Sequence, residues 1–144
     1  MDGKKMAGTS PEARPRIGET EKLTINLGVV DLGQIDLLVQ EGFYSNRTDL
    51  IRTAIRNQLL VHCDEVKRSV ARRTLVLGLQ HFSRADLERA LAAGHRMQIQ
   101  VVGLARIAND VSPELARATI QSVEVLGAFH ASAAVRSALA DRIL

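Results

Sequence analysis

The stretch KLTINLGVVDLGQIDLLVQEGFYSNRTDLIRTAIRNQLL, residues 22–60, decides the fold of the first half of the chain. Over residues 22–27 apolar and polar residues alternate strictly, which predicts a half-buried strand. From Leu32 the apolar spacing becomes helical, and Gly42 fits the left-handed position that follows a helix. Ser45 predicts the N-cap of a second helix. The pattern therefore indicates a strand, a helix, a short turn and another helix.

A unit of this size needs a partner. It is too small to build an adequate core, and its single strand has nothing within the unit to pair with. Both problems disappear if two chains pair their strands antiparallel and interlock their helices. The sequence therefore predicts a homodimer with a shared apolar core, formed by Leu23, Ile25, Leu27, Ile35, Leu38, Ile51 and Ile55.

Three features of this stretch taken together are distinctive: the alternating strand, the turn at residues 41–49 and the helix that contains Ile51-Arg52-Thr53-Ala54-Ile55. With them the chain resembles the ribbon-helix-helix DNA-binding family, the superfamily of MetJ, Arc and CopG-type regulators. The resemblance covers residues 22–60 and implies that two strands form a ribbon that reads operator half-sites. Relatives commonly carry Pro where the first helix begins. Here Gly28-Val29-Val30-Asp31 takes its place, which predicts a later start of that helix.

The outward strand residues are candidates for base contacts. A two-stranded ribbon fits the major groove of B-DNA, where each base pair shows a distinct pattern of donors and acceptors. With the apolar residues facing the core, Lys22, Thr24 and Asn26 point outward. Lys can donate to guanine, Asn can bond adenine with two hydrogen bonds, and Thr can contact either base edge or the thymine methyl group.

The start of the second helix is a candidate phosphate site. The backbone N–H groups of Ser45, Asn46 and Arg47 are expected to be free there, and the helix dipole favours an anion. Arg47 adds a formal charge. Residues 23–60 nevertheless carry fewer basic than acidic side chains, which predicts modest affinity for non-specific DNA.

The second half of the chain contains an internal repeat. Residues 100–103 align with residues 124–127, and residues 75–78 match the same strand with one extra residue. The offset also aligns apolar helix positions, and Ser83 and Ser112 are candidate helix caps. Three copies of strand, glycine, loop and helix follow. They predict a small parallel β-α solenoid or a compact α/β domain, with open ends that favour oligomerisation.

The predicted fold is α+β with four segments. A flexible arm spans residues 1–20, the ribbon-helix-helix domain 21–62, a helical linker 63–73 and the β-α repeat oligomerisation domain 74–144. The basic cluster at 67–73 is expected to be a solvated hinge rather than a contact to the DNA backbone.

Composition and motifs exclude several classes of protein. Few aromatic residues argue against single-strand binding by base stacking, and a single cysteine, Cys63, excludes an internal disulfide. Nucleotide-binding and hydrolase motifs are absent, so we predict no enzyme and no cofactor. A metal-sensing α/β domain follows the DNA-binding domain in nickel-responsive repressors, but the second half here lacks their ligand spacing, and we predict no metal site. The available ligands are His62, Cys63, His81, His95 and His130.

One polar set remains ambiguous. His81, Arg106 and His130 each lie three residues after a repeat glycine, which predicts a ladder on one edge of the repeats. This edge is an exposed loop edge in the favoured interpretation and an anion site in the other.

The sequence predicts a cytoplasmic, nucleoid-associated homo-oligomer that binds double-stranded DNA as a repressor or autoregulator, with no membrane segment. Two alternatives stay open. The chain could be an antitoxin with a protein partner, or a scaffold that polymerises through residues 74–144.

Overall fold

The computed structural model describes residues 19–144, so most of the predicted arm lies outside the described residues. The described part divides into two units. One comprises residues 22–71, and the other comprises residues 72–144 together with 19–21. Within this part of the chain no helix is long and apolar enough to cross a membrane.

The first unit is built from helices. Helix α1 spans Val29–Gln40, α2 spans Arg47–Val61 and α3 spans Cys63–Arg72. The prediction that α1 begins at Leu32 is wrong, because Gly28 adopts the extended conformation of an N-cap and its carbonyl accepts the Leu32 N–H at 3.0 Å. Residues 22–27 carry no secondary structure in the single chain. A predicted strand whose partner belongs to a second copy has nothing to pair with here.

Helix α1 ends as its sequence predicts. Gly42 has φ +87°, the left-handed conformation that glycine adopts without steric cost. The N–H groups of Gly42 and Phe43 donate to the carbonyl oxygens of Val39 and Leu38. This pair of bonds satisfies carbonyl groups left without helical partners and reverses the chain sharply toward α2.

The second unit alternates strands and helices. Its strands are parallel and lie in sequence order, as predicted for a parallel β-α repeat. The elements are β1 (Val76–Phe82), α4 (Arg84–Ala92), β2 (Met97–Ile107), α5 (Pro113–Thr119), β3 (Ile120–His130), α6 (Ala133–Ala138) and a short 3-10 turn, Ala140–Arg142.

The register of the sheet reproduces the repeat in the sequence. Val101 lies opposite both Val76 and Val125, which gives offsets of 25 and 24 residues. The aligned positions Leu87, Val111 and Val135 are all buried in one core, although Val111 lies in the loop before α5 and not on a helix as predicted. The other members of this core come from the strands, from α5 and from the residue that follows α6: Ile99, Val101, Ala105, Ile107, Ala116, Ile120, Val123 and Leu139.

The helices of the repeats begin at serines. The Ser83 and Ser112 side chains accept N–H bonds at the starts of α4 and α5, as predicted, and Ser132 does the same for α6. At α4 the cap is reciprocal, because the Asp86 carboxylate accepts the Ser83 N–H at 2.9 Å. These hydrogen bonds from Ser83 lower the pKa of Asp86.

The repeat glycines lie inside the strands, not at their ends. Gly78, Gly103 and Gly127 are aligned across the sheet, and each has a φ between +123° and +140°. A Cβ atom on Gly103 would lie 2.1 Å from the carbonyl oxygen of Gly78, and one on Gly127 equally close to that of Gly103. The predicted order of strand, glycine and loop is therefore wrong: each strand continues past its glycine, because only glycine allows this close approach in this conformation.

Candidate nucleic-acid interface

The predicted base-contacting residues are exposed in the single chain. Lys22, Thr24 and Asn26 lie on the segment before α1, and within the described residues no hydrogen bond or ion pair engages their side chains. Their polar groups are thus available to a ligand. Between the described residues no hydrogen bond or ion pair connects them with the start of α2, so the single chain does not join the two predicted parts of the interface.

The apolar residues of the same segment are also exposed. Leu23 is 79% exposed, Ile25 54% and Leu27 41%. Alternation therefore does not produce a buried side in one copy of the chain. The decreasing exposure follows the approach of the segment to α1.

The predicted helical core residues are covered only in part. Ile35 and Ile51 are half-buried, whereas Leu38 and Ile55 are 36% and 49% exposed. No residue of α1, α2 or α3 is fully buried. The unit leaves apolar surface on its helices that a larger assembly could cover.

The start of α2 differs from its prediction in two respects. Asn46, not Ser45, is the N-cap, and its side-chain oxygen accepts the Asp49 N–H at 2.8 Å. The Asp49 carboxylate in turn accepts the Ser45 N–H and hydroxyl, both at 3.0 Å. The prediction that the Ser45 N–H is free is therefore wrong, since a carboxylate three residues beyond the cap reaches back to it. These bonds from Ser45, with a smaller effect of the Arg56 charge, lower the pKa of Asp49.

The charge of Arg47 is balanced within the unit. Its Nε and Nη2 atoms donate to the two carboxylate oxygens of Asp36 at 2.7 and 2.8 Å. The pairing lowers the pKa of Asp36 and raises that of Arg47. Arg47 lies at the predicted position, but an anion there would have to share its guanidinium with Asp36.

Two arginines that the sequence interpretation did not assign lie close by. Arg52 and Arg56 are one turn apart on α2 and line a concavity of about 300 Å³ at its start. The other lining residues are Ser45, Asn46, Thr48 and Asp49. The sequence contains a signal for this pair: the two arginines have i, i+4 spacing, which places them on one face of the helix a few residues after its cap.

A model of the ribbon-helix-helix transcriptional regulator family matches residues 18–136. The chain belongs to this family. The match extends through both units and thus includes the β-α repeats of the second half. Searches of curated proteins and of solved structures gave no significant match.

The other residues considered as ligands or DNA contacts in this ribbon-helix-helix protein make ordinary local contacts. Cys63 is a half-buried free thiol, and the His62 ring contacts the Gln58 amide at 3.3 Å. In the basic cluster Arg68 pairs with Glu65, and Arg73 with Glu124. Among residues 19–144 no three His, Cys, Asp or Glu side chains are placed to hold a metal ion.

Proposed function

We propose that this transcriptional regulator binds double-stranded DNA as a homodimer and represses transcription, its own included, in the cytoplasm at the nucleoid. Strands formed by residues 22–27 of two copies pair antiparallel and enter the major groove. Lys22, Thr24 and Asn26 then contact base edges. We assign no catalytic role to the chain.

One observation carries the proposal: the unit at 22–71 has no buried side chain, yet its apolar residues alternate with unengaged polar ones along residues 22–27. Pairing two such segments covers Leu23, Ile25 and Leu27 on one side. The same pairing presents six polar side chains on the other.

Phosphate contacts in this proposal shift along α2. The backbone N–H groups of Asn46 and Arg47 lie at the helix start, where the dipole favours an anion. Arg52 and Arg56 line the adjacent concavity and add charge without a carboxylate partner at salt-bridge distance among the described residues. This set replaces the Ser45 N–H, which Asp49 already engages.

The experiment is a selection of bound fragments from a genomic duplex library at near-physiological salt. It compares the wild type with the Lys22→Ala/Thr24→Ala/Asn26→Ala variant. A matched control, Arg96→Ala/Gln121→Ala/Ser137→Ala, removes similar side chains at exposed positions of the second unit. We expect wild type and control to recover one repeated short motif and the ribbon variant to recover none.

Equal enrichment by all three proteins would contradict base reading by the ribbon. Loss of enrichment in the control as well would also contradict it, because the effect would then not depend on the ribbon. Circular dichroism of each variant establishes that it is folded.

We also propose that residues 74–144 join dimers into higher oligomers by contact with the same surface of a second copy. Three leucines of the sheet, Leu77, Leu79 and Leu126, are 57%, 42% and 48% exposed. The proposed dimer carries two such surfaces. Contacts between dimers that are weak individually therefore reinforce one another through multivalency. Light scattering on Leu77→Lys/Leu126→Lys is expected to give a dimer where the wild type gives a tetramer or larger, and a wild-type dimer contradicts this extension.

A further inference from the structure

Three polar side chains form a row across the sheet near the carboxyl ends of its strands. His81 lies opposite Arg106, and Arg106 opposite His130. All three are half-buried strand residues, so the favoured interpretation of this row as an exposed loop edge is wrong. Arg106 Nη2 lies 3.1 Å from His130 Nδ1. The sheet thus places basic groups side by side at the edge where open parallel sheets bind their ligands.

A pocket of about 370 Å³ opens beside this row. Its polar walls are Arg106, His130, Asn109 and Arg136, and Phe129 contributes an aromatic ring. The Arg136 guanidinium lies 5.3 Å from the centre of that ring, and its Nη1 donates to the Phe129 carbonyl oxygen at 2.6 Å. The pocket has the volume of a small-ligand site.

The chain itself supplies carboxylates to two of these basic groups. Both carboxylate oxygens of Glu19 accept from Arg106 Nη2, at 2.8 and 3.0 Å. Glu21 Oε2 lies 2.7 Å from His130 Nε2. Each glutamate comes from the segment before α1, and neither belongs to the sheet. The site therefore already binds two carboxylates, and both belong to the short segment before α1.

Positive charge remains after these pairs are formed. Arg136 has no carboxylate partner among residues 19–144, and the Nε of Arg106 is buried with no hydrogen-bond partner. The Arg106 side chain is only 17% exposed, so its charge is poorly screened by solvent. A ligand with two carboxylates could engage Arg106 and Arg136 together, which Glu19 alone does not do.

We propose that this pocket binds a small dicarboxylate, which displaces Glu19 from Arg106 and pairs with Arg136. Glu21 directly precedes Lys22, the first proposed base-contacting residue. Ligand binding would therefore release the segment that anchors the start of the DNA-reading strand. This regulatory consequence rests on the proposed function, whereas the binding site does not.

The contacts of Glu19 and Glu21 with the sheet determine whether the ligand strengthens or weakens DNA binding. A strand anchored at Glu19 and Glu21 loses less conformational freedom when it orders on DNA. Release removes this advantage and leaves the Glu19 carboxylate unpaired near Lys22, where it repels phosphates. The ligand is therefore expected to weaken DNA binding.

The binding test is a calorimetric titration of the full chain with glutarate, with acetate and inorganic phosphate as comparison arms. The Glu19→Gln/Glu21→Gln variant removes the two carboxylates that compete with the ligand. It is expected to tighten glutarate binding by about tenfold, because a site that its own glutamates occupy about nine-tenths of the time binds a ligand with a tenfold lower apparent affinity. The matched control Glu41→Gln/Glu114→Gln removes two exposed carboxylates elsewhere and is expected to behave as the wild type. Arg136→Gln is expected to abolish the preference for glutarate over acetate.

Several results would overturn the site. They are no tightening in the Glu19/Glu21 variant, equal affinity for phosphate and glutarate, or an unchanged preference in Arg136→Gln. Because Arg106 is largely buried and its replacement could unfold the sheet, the exposed Arg136 and the two glutamates carry the test.

The regulatory test measures DNA affinity with and without glutarate. We expect glutarate to weaken DNA binding by the wild type severalfold and to leave Glu19→Gln/Glu21→Gln unchanged. An equal effect on both proteins would contradict the release mechanism. If the ligand-free wild type bound no specific DNA, the proposed function would fail, while the calorimetric titration would still decide the binding site.

Discussion

The two units of this chain differ in what a single copy can bury. The β-α repeats enclose a core in which Leu87, Ile99, Val123 and Val135 are fully buried. The unit at residues 22–71 buries no side chain fully, although α1 and α2 both carry apolar residues. Because burial of apolar area is the main stabilising term in folding, we expect the first unit, but not the second, to need a second copy for its stability.

The largest effect is expected from Gly103→Ala in the second unit. The new Cβ would lie 2.1 Å from the Gly78 carbonyl oxygen, and backbone atoms of the sheet cannot yield without breaking its register. We expect a loss of about 4 kcal/mol or more in the free energy of unfolding. Gly78→Ala is the matched control, because its φ of +137° is similar but its Cβ would meet nothing within 4 Å. Strain alone there is expected to cost about 1–3 kcal/mol. Equal losses would contradict the close-approach explanation; urea denaturation measures both.

The core of the repeats is expected to respond to Leu87→Ala at any protein concentration. Deleting this fully buried side chain should cost about 2–5 kcal/mol. Ile55→Ala in the first unit should act differently. Ile55 is half-exposed in one copy, so its loss weakens the dimer and shifts the unfolding midpoint more at low protein concentration. A concentration-independent effect of Ile55→Ala would contradict the shared core.

The cap of α4 gives a pH-dependent contribution. Hydrogen bonds from Ser83 lower the folded-state pKa of Asp86, so this group stabilises the fold above its unfolded-state pKa. The contribution is lost as the pH falls through the lower, folded-state pKa. We expect Asp86→Asn to lower the melting temperature slightly at pH 7 and the difference to disappear in acid. A difference that persists in acid would assign the effect to something other than the carboxylate. Thermal unfolding of wild type and variant across this range measures it.

The smallest effect on stability is expected from Asp36→Asn, because the ion pair with Arg47 is exposed. The effect on DNA should be larger. The freed guanidinium is expected to raise duplex affinity a few-fold and to steepen the salt dependence by about one counterion. Asp31→Asn is the matched control, since it removes the same charge from α1 without releasing an arginine. Equal gains in both variants would indicate general electrostatics in place of a specific phosphate contact.

The sequence predicted features that depend on local spacing. The offset between Val101 and Val125 became the register of β2 and β3, and Ser83, Ser112 and Gly42 adopted their predicted roles at helix ends. Each depends on periodicity or on a residue's own conformational preference. Such features are determined by a few neighbouring residues or by a pattern that repeats along the chain.

The features that were missed depend on contacts between distant residues or on unusual backbone. Arg47 pairs with Asp36 across eleven positions, and Glu19 reaches Arg106 across most of the chain. The periodicity of the sequence does not predict pairs between residues so far apart. Gly103 was interpreted as the end of a strand, because a glycine with positive φ inside a parallel strand is uncommon and its sequence pattern is that of a turn.

The proposed DNA binding depends on one antiparallel ribbon formed by residues 22–27 of two copies. It is tested most directly by isotope-filtered nuclear Overhauser measurements on a mixed dimer, in which one copy is labelled and the other is not. We expect intermolecular contacts between backbone protons of residues 22–27 and slow exchange of their paired amides. A monomer in solution, or a dimer in which these amides exchange freely and show no intermolecular contact, would contradict it.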